Sequence, residues 1–478
     1  MQLRTDRDKV AHLLRRFGLG ASEAELDYYS EGDYKGAVDK LLGYDAVDEG
    51  FKLDITTMKV GEQQLVPMPA VQAHWMTRLL ITRRPLQEKM TLFWHDHFAT
   101  SGAKVTQPPL MYQNIETLRT HATGKFGDLL LNISKDPGML FWLDNQFNVR
   151  GKPNENFARE VMELFTLGFG NYSEKDVQEA ARAFTGWTIQ RRPRFGQYEN
   201  GDEFKAASFI FRPGQHDAGE KTVLGKTGAL SGEDVLDLLT NHPQTARYIS
   251  EKIWEWFAYR NPEPKLIDRL ATNFKSSGMD IKKLLRDVME APEFVSDKAY
   301  RKVYKSPIDF TVTTMRQLGL GQVATQLLEQ TGDMSPLQRM RGLPGAPTQA
   351  TKSMGMELMF PPDVAGWEGG AGWISSATMV ERIGWADRLF GQAQQTARRS
   401  QVNGLSAYPI FAKDPSCATV ARQLASIFDA PLPEPKLVSL IEAAKAAAGG
   451  DRVTEQNANL VASRVSRLIF GSPEFQFV

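Results

Sequence analysis

The chain has 478 residues, with 57 Lys and Arg against 57 Asp and Glu and so no formal net charge. That balance offers no electrostatic footprint for nucleic acid or for an anionic membrane surface, and no run of roughly 18 apolar residues offers a membrane span. With 42% hydrophobic and 24% charged residues the composition is that of a globular protein, and its length predicts two or three packed lobes rather than one core.

In chain order, Thr5 with Asp8 spells a capping box for a helix that runs to Arg16 and closes at Gly18, and Ser22 with Glu25 spells a second. Residues 67–84 and 85–100 read as two helices parted at Pro85, which suits a first helical turn. Ser173 with Asp176 and Ser231 with Asp234 mark further starts. Helical patterns follow at 244–259, 263–275, 280–290, 307–318, 375–390, 416–428, 434–446 and 454–470. WTIQ, FKAASFIF and KTVLG are short β-like runs, with NGDE as a turn. The expected fold is therefore mainly α, multi-helix and multi-lobed, with a small β-hairpin-like excursion at 187–230 between helical lobes at 1–186 and 231–478. Residues 342–374, with GLPGAP, PPDVAGW and EGGAGWISS, read as too rich in Gly and Pro for regular structure. So long an ordered loop marks a candidate cover or wall for a site. LLRDVMEAPEF and VSRLIFGSPEF share an apolar helix ending in Pro-Glu-Phe, with Arg286 and Arg467 at matched offsets. They read equally well as a duplicated unit or as two helices that stop at proline. RRPRF at 191–195 reads as a solvated cationic loop. Cys417, the only cysteine, can form no intrachain disulfide and suits packing inside a helix start.

Three polar constellations can carry chemistry. FWHDHFATS holds two of the seven histidines, His95 and His97. On a helix His97 joins the apolar stripe of Leu86, Met90, Phe93 and Trp94, whereas His95 lies about 200° around the axis, so one metal held by both needs the helix to end or distort there. In NENFAREVMELFTLG a helical stripe of Asn156, Glu160, Glu163 and Leu167 places two carboxylates at i, i+3, able to meet one cation or divide acid and base roles. Glu155, Arg159 and Glu163 also read as a surface ion-pair ladder. RPGQHDAGEKTVLG sets His216, Asp217 and Lys221 on one Gly-rich loop, suited to an anion, a metal or a proton. Its GEKT tail is no phosphate-binding loop, because Glu220 stands where glycine must precede the lysine.

HLLRRFGLGAS, FWHDHFATS, NENFAREVMELFTLG, EAARAFTGW, HDAGEKTVLG and PPDVAGWEGGAGWISSAT, in order from His12 to Thr378, together resemble the large bacterial family called domain of unknown function 1800. Weaker similarity continues to Phe475. The resemblance implies no particular activity. It does mark His95, His97, Glu160, Glu163, His216 and Asp217 as positions that follow the family's polar motifs. Relatives carry histidine where this chain has Phe165, so a metal ligand supplied there in them is absent here.

Two functions follow as expectations. In the first, His95, His97, Glu160, Glu163, His216 and Asp217 converge in an enzyme site for acid/base or metal-assisted hydrolytic or lytic chemistry on a polar or polymeric substrate. Asn156, Arg159, Trp187, Lys221, Trp367 and Trp373 contact that substrate, and the donor set suits a divalent Zn, Mn or Fe ion. In the second, the protein is a non-catalytic binding or scaffold protein whose polar motifs cap helices and join lobes. Convergence in one cleft separates the two. MQLRTDRDKVAHLLRRFG lacks the apolar run of a signal peptide, which places the chain as written in the cytoplasm, or outside it if the N-terminus has been processed.

Overall fold

A computed structural model describes residues 3–57, 66–191, 207–330, 335–340, 342–400, 406–411 and 413–478. Helix accounts for 61% of the structure. The sheets among the described residues are two antiparallel ribbons, β1 (Trp187–Arg191) with β2 (Ala207–Phe211) and β3 (Lys221–Val223) with β4 (Lys226–Gly228). The mainly helical fold with a small β excursion is thus what the chain adopts. Register in the first ribbon pairs Trp187 with Phe211 and Ile189 with Phe209. NGDE and residues 192–195 of RRPRF lie outside the described residues.

Helix starts follow local chemistry. The boxes at Thr5/Asp8, Ser22/Glu25, Ser173/Asp176 and Ser231/Asp234 all close reciprocally, side chain to backbone in both directions. A fifth, Ser306/Asp309, opens the helix Pro307–Gln317. Helix ends depart from the periodic pattern where tertiary contacts decide. The helix expected on 85–100 stops at His97. The stripe expected through Leu167 breaks after Met162 into a π turn, Glu163–Leu167. The Gly- and Pro-rich stretch at 342–374 is not devoid of regular structure: Pro347, in a first turn where no N–H is needed, helps open the helix Ala346–Ser353, and Gly370–Trp373 is a single 3₁₀ turn. Helices Tyr34–Leu42, Pro108–Thr120, Phe126–Ser134 and Leu320–Glu329 form in addition to those expected from the sequence pattern.

Two hydrophobic cores form among the described residues. The larger gathers Phe17, Trp94, Phe126, Phe157 and Trp254, and the smaller gathers Phe310, Trp385, Phe428 and Phe470. Helix Pro307–Gln317 joins them, giving Ile308 and Val312 to the first and Phe310 and Met315 to the second. The two Pro-Glu-Phe endings close one core each. Phe294 packs on Phe17 and His12, and Phe475 on Phe310 and Phe470. Arg286 and Arg467 each pair with an aspartate of another helix, Asp39 and Asp387 respectively.

Candidate active site

Helix Pro85–His97 is buried on nearly every side, so its polar side chains must find partners inside the protein. Lys89, Phe93 and Asp96, at i, i+4 and i+7, share one face and look into a cavity of about 350 Å³. The opposite wall is the end of helix Pro243–Phe257, which presents Lys252, Glu255 and Trp256 at i, i+3 and i+4. Arg16 holds that helix end in place, donating from Nε to the Phe257 carbonyl at 2.6 Å and from Nη2 to that of Trp256 at 3.0 Å. Such a cation suits the negative end of a helix. The floor is a buried ion pair between Lys89 and Asp309, whose other carboxylate oxygen caps its own helix through Ser306. Burial opposes the charge on Asp309, yet Lys89, with the Ser306 hydroxyl and Arg16, holds its pKa below the usual range. The loop 365–373 supplies the roof through Trp367 and Trp373.

Asp96 is the residue this arrangement singles out, and the sequence reading passed over it. Its Oδ1 accepts the backbone N–H of Trp367 at 2.7 Å, and no other described residue bonds the carboxylate. Burial pushes its pKa up to about 6, against the Trp367 hydrogen bond and the more distant Lys252 charge, which both favour the ionised form. The roof approaches this closely because residue 366 is glycine. Gly366 has φ +86°, and a Cβ there would stand 2.5 Å from both the carbonyl oxygen and Oδ1 of Asp96. A polar pair at Lys89 and Asp96, seven residues apart on the face that also carries Phe93, was the available signal.

Both histidines of the motif are buried, not one inside and one at the surface, because the helix is enclosed on both faces. His95 accepts the backbone N–H of Met359 on Nε2 at 3.1 Å, so in the neutral ring the proton sits on Nδ1. His97 lines the cavity, and its Nε2 meets the Phe165 carbonyl at 3.1 Å. A carbonyl requires a donor, which places that ring's proton on Nε2. Burial holds both pKa values down to about 3, aided at His97 by the Lys252 charge. The Phe165 carbonyl is free to accept because the π turn leaves it no helical partner. The neighbouring carbonyls of Leu164 and Leu167 are met by Tyr248 Oη and Gln244 Nε2.

The other two constellations stand apart from this cavity. Glu163 is held by the Tyr172 hydroxyl. Burial, then the Glu163 charge, raises the pKa of Glu160. Arg159 bridges Glu155 and Glu174, and Asn156 Nδ2 donates to the Leu143 carbonyl at 3.2 Å. His216 Nδ1 lies 3.0 Å from the Thr185 carbonyl. Asp217 is clamped by Arg182 at 2.8 Å, which brings its pKa down to about 2. Lys221 is buried with its Nζ on the Gly219 carbonyl at 2.9 Å. Trp187 is 1% exposed and wedged between Phe184 and Phe209, a core anchor. Of the twelve residues nominated from sequence, His97, Trp367 and Trp373 line the cavity, and His95 lies directly behind it against the Trp367 ring, 5.4 Å between centroids.

Among the described residues no group of three or more His, Cys, Asp or Glu side chains is placed to hold a metal ion. No helix among them is long and apolar enough to cross a membrane. No curated protein and no solved structure matches the chain. One family model does, the protein of unknown function DUF1800, and its match runs over residues 12–477. That span takes in both cores, the π turn, the cavity walls and the Trp367 roof, so the chain belongs to the DUF1800 family.

Proposed function

We propose that the cavity between Asp96 and the 365–373 roof is the site of an acid/base enzyme, hydrolytic or lytic, acting on a polar, sugar-like or polymeric substrate. The observation that carries this reading is Asp96, a carboxyl with a pKa of about 6 that is tethered through one oxygen and faces a cavity with the other. Such a group exchanges a proton with a bound molecule near neutral pH, and acid/base catalysis needs that match. Glu255 and Glu368 open on the same space and offer the second carboxylate that paired-carboxylate glycoside hydrolysis uses. His97, neutral and fixed on the π turn, acts as a positioning residue for the helix end that carries Asp96. Trp256, Trp367 and Trp373 give the aromatic walls common in small-molecule sites.

The test is release of reducing ends or of unsaturated products from a panel of oligosaccharides, with Asp96→Asn as the matched control. Turnover by the wild type that drops about a hundredfold or more in the variant is the expected outcome. Turnover indifferent to the change removes Asp96 from the chemistry.

The scaffold reading keeps one specific support. The His216/Asp217 loop and Glu163 are engaged by contacts within the chain, Arg182 and Thr185 in one case and Tyr172 in the other. These segments join helices; the proposed chemistry is confined to the cavity.

A further inference from the structure

Building on the acid/base reading of this cavity, we infer that its ligand is an acidic sugar, a pyranose ring bearing a carboxylate, whose carboxylate is received by Arg260. The cavity offers hydrogen-bond donors far in excess of what the protein itself uses. Arg260 spends one N–H on the Glu368 carbonyl, at 3.2 Å, and pairs with no carboxylate among the described residues. Lys252 and Lys302, on the same walls, also lack a described carboxylate partner. The indole N–H groups of Trp256, Trp367 and Trp373 bond no described residue and are not sealed from solvent. A ligand rich in acceptors, at least one of them anionic, meets that set.

The roof is shaped around the Arg260 fork. Gly370 has φ +57°, and a Cβ there would stand 2.6 Å from Arg260 Nη2 and 2.8 Å from Cζ. Glycine at this point lets the guanidinium close on the loop backbone, and beyond the Glu368 carbonyl its donors bond no described residue. A planar fork of this kind matches a carboxylate in bidentate fashion. The acceptors point to a sugar rather than to a flat aromatic acid. The Glu368 carboxylate accepts from no described residue, and Asp96 and Glu255 each accept one backbone N–H and have acceptor capacity left, which a pyranose meets with hydroxyls while offering an apolar ring face.

Calorimetric titration with digalacturonate and with its neutral counterpart, digalactose, tests this without any turnover. The acidic disaccharide should bind about tenfold or more tightly than the neutral one, with an affinity that falls as salt rises. Arg260→Gln should erase that preference and Arg260→Lys should keep part of it, because charge remains but the fork is lost. Equal affinity for both sugars overturns the inference, as does an Arg260→Gln protein with unchanged thermal stability that keeps the preference. Binding of neither sugar overturns it too, and leaves the proton-transfer reading to be decided by the Asp96→Asn assay.

Discussion

The backbone N–H of Trp367 and the Oδ1 of Asp96 meet at 2.7 Å across 271 residues of sequence, and this single bond fastens the roof of the cavity to the helix beneath it. Gly366 makes the approach possible. Replacing it with alanine puts a Cβ at 2.5 Å from two oxygens of Asp96, at a φ of +86° that disfavours any L side chain. Gly366→Ala should cost about 1–3 kcal/mol in urea unfolding. It should also raise the Asp96 titration above its value of about 6, because the lost bond favoured the ionised carboxylate. Carboxyl-selective NMR titration reads the second effect. An Asp96 value that stays put or falls shows that the Trp367 bond does not tune it.

His95 performs a comparable task one layer deeper. It accepts the N–H of Met359, a non-glycine residue held at φ +66°, whose carbonyl in turn receives the N–H of Gly102 at 2.8 Å. His95→Ala removes the acceptor from a buried amide and leaves a void among Trp75, Trp367 and the helix. The expected loss is about 2–5 kcal/mol, with the Asp96 titration little changed. A loss below about 1 kcal/mol contradicts a structural assignment for His95.

Some of this was legible in the sequence, and the line falls where local chemistry gives way to tertiary contact. Capping boxes such as Ser173/Asp176 are complete within four residues and could be read directly. The β excursion was legible from WTIQ and KTVLG for the same reason. The π turn at Glu163–Leu167 was not, because its exposed carbonyls are met by Tyr248, Gln244 and His97 from distant helices. Asp96 was missed because a polar residue on a helix normally marks the solvent face. Here that face looks onto an internal cavity, and only the packing of residues 252–256 and 365–373 against it shows so. Asp217 drew notice as a candidate base, yet its position beside Arg182 was invisible in a one-dimensional pattern.

Acid should destabilise the protein. Burial holds His74, His95 and His97 down to about 3 and His12 well below its ordinary value, against about 6.5 in an unfolded chain. A depressed folded value means that the unfolded state binds the extra proton, so this stability is present above about pH 6.5 and lost as pH falls. Asp96 and Asp136, raised by burial to about 6, act oppositely. Their contribution is present below about pH 4 and lost as pH rises towards 6. Part-exposed Glu49 and Glu160, also raised, add weakly to that side. Four buried histidines outweigh two buried aspartates by about two protons, and these groups alone give a slope on the order of 3 kcal/mol per pH unit between about 6 and 4. Urea midpoints across that window give the sign. Midpoints that rise on acidification would show that the carboxyl groups dominate.

The roof itself should behave as a wall pinned at both ends with a loose centre. Trp367 and Trp373 are only 9% and 8% exposed, as packed side chains are, and Gly366, Gly369 and Gly370 already occupy positive φ, where glycine sets a shape as well as permitting motion. The amides divide accordingly. Trp367 donates to Asp96 at 2.7 Å, Gly372 to the Gly369 carbonyl at 3.0 Å and Ile374 to that of Ala371 at 2.9 Å. The amides of residues 368–371 bond no described residue. Hydrogen exchange should therefore be slow at Trp367 and Ile374 and fast across 368–371, the segment that carries the Arg260 contact. A ligand seated on Arg260 should slow 368–371 and leave Trp367 as it was. If Trp367 exchanges as fast as 368–371 before any ligand is added, the roof opens as a whole, and loop 365–373 is a moving cover rather than a fixed wall.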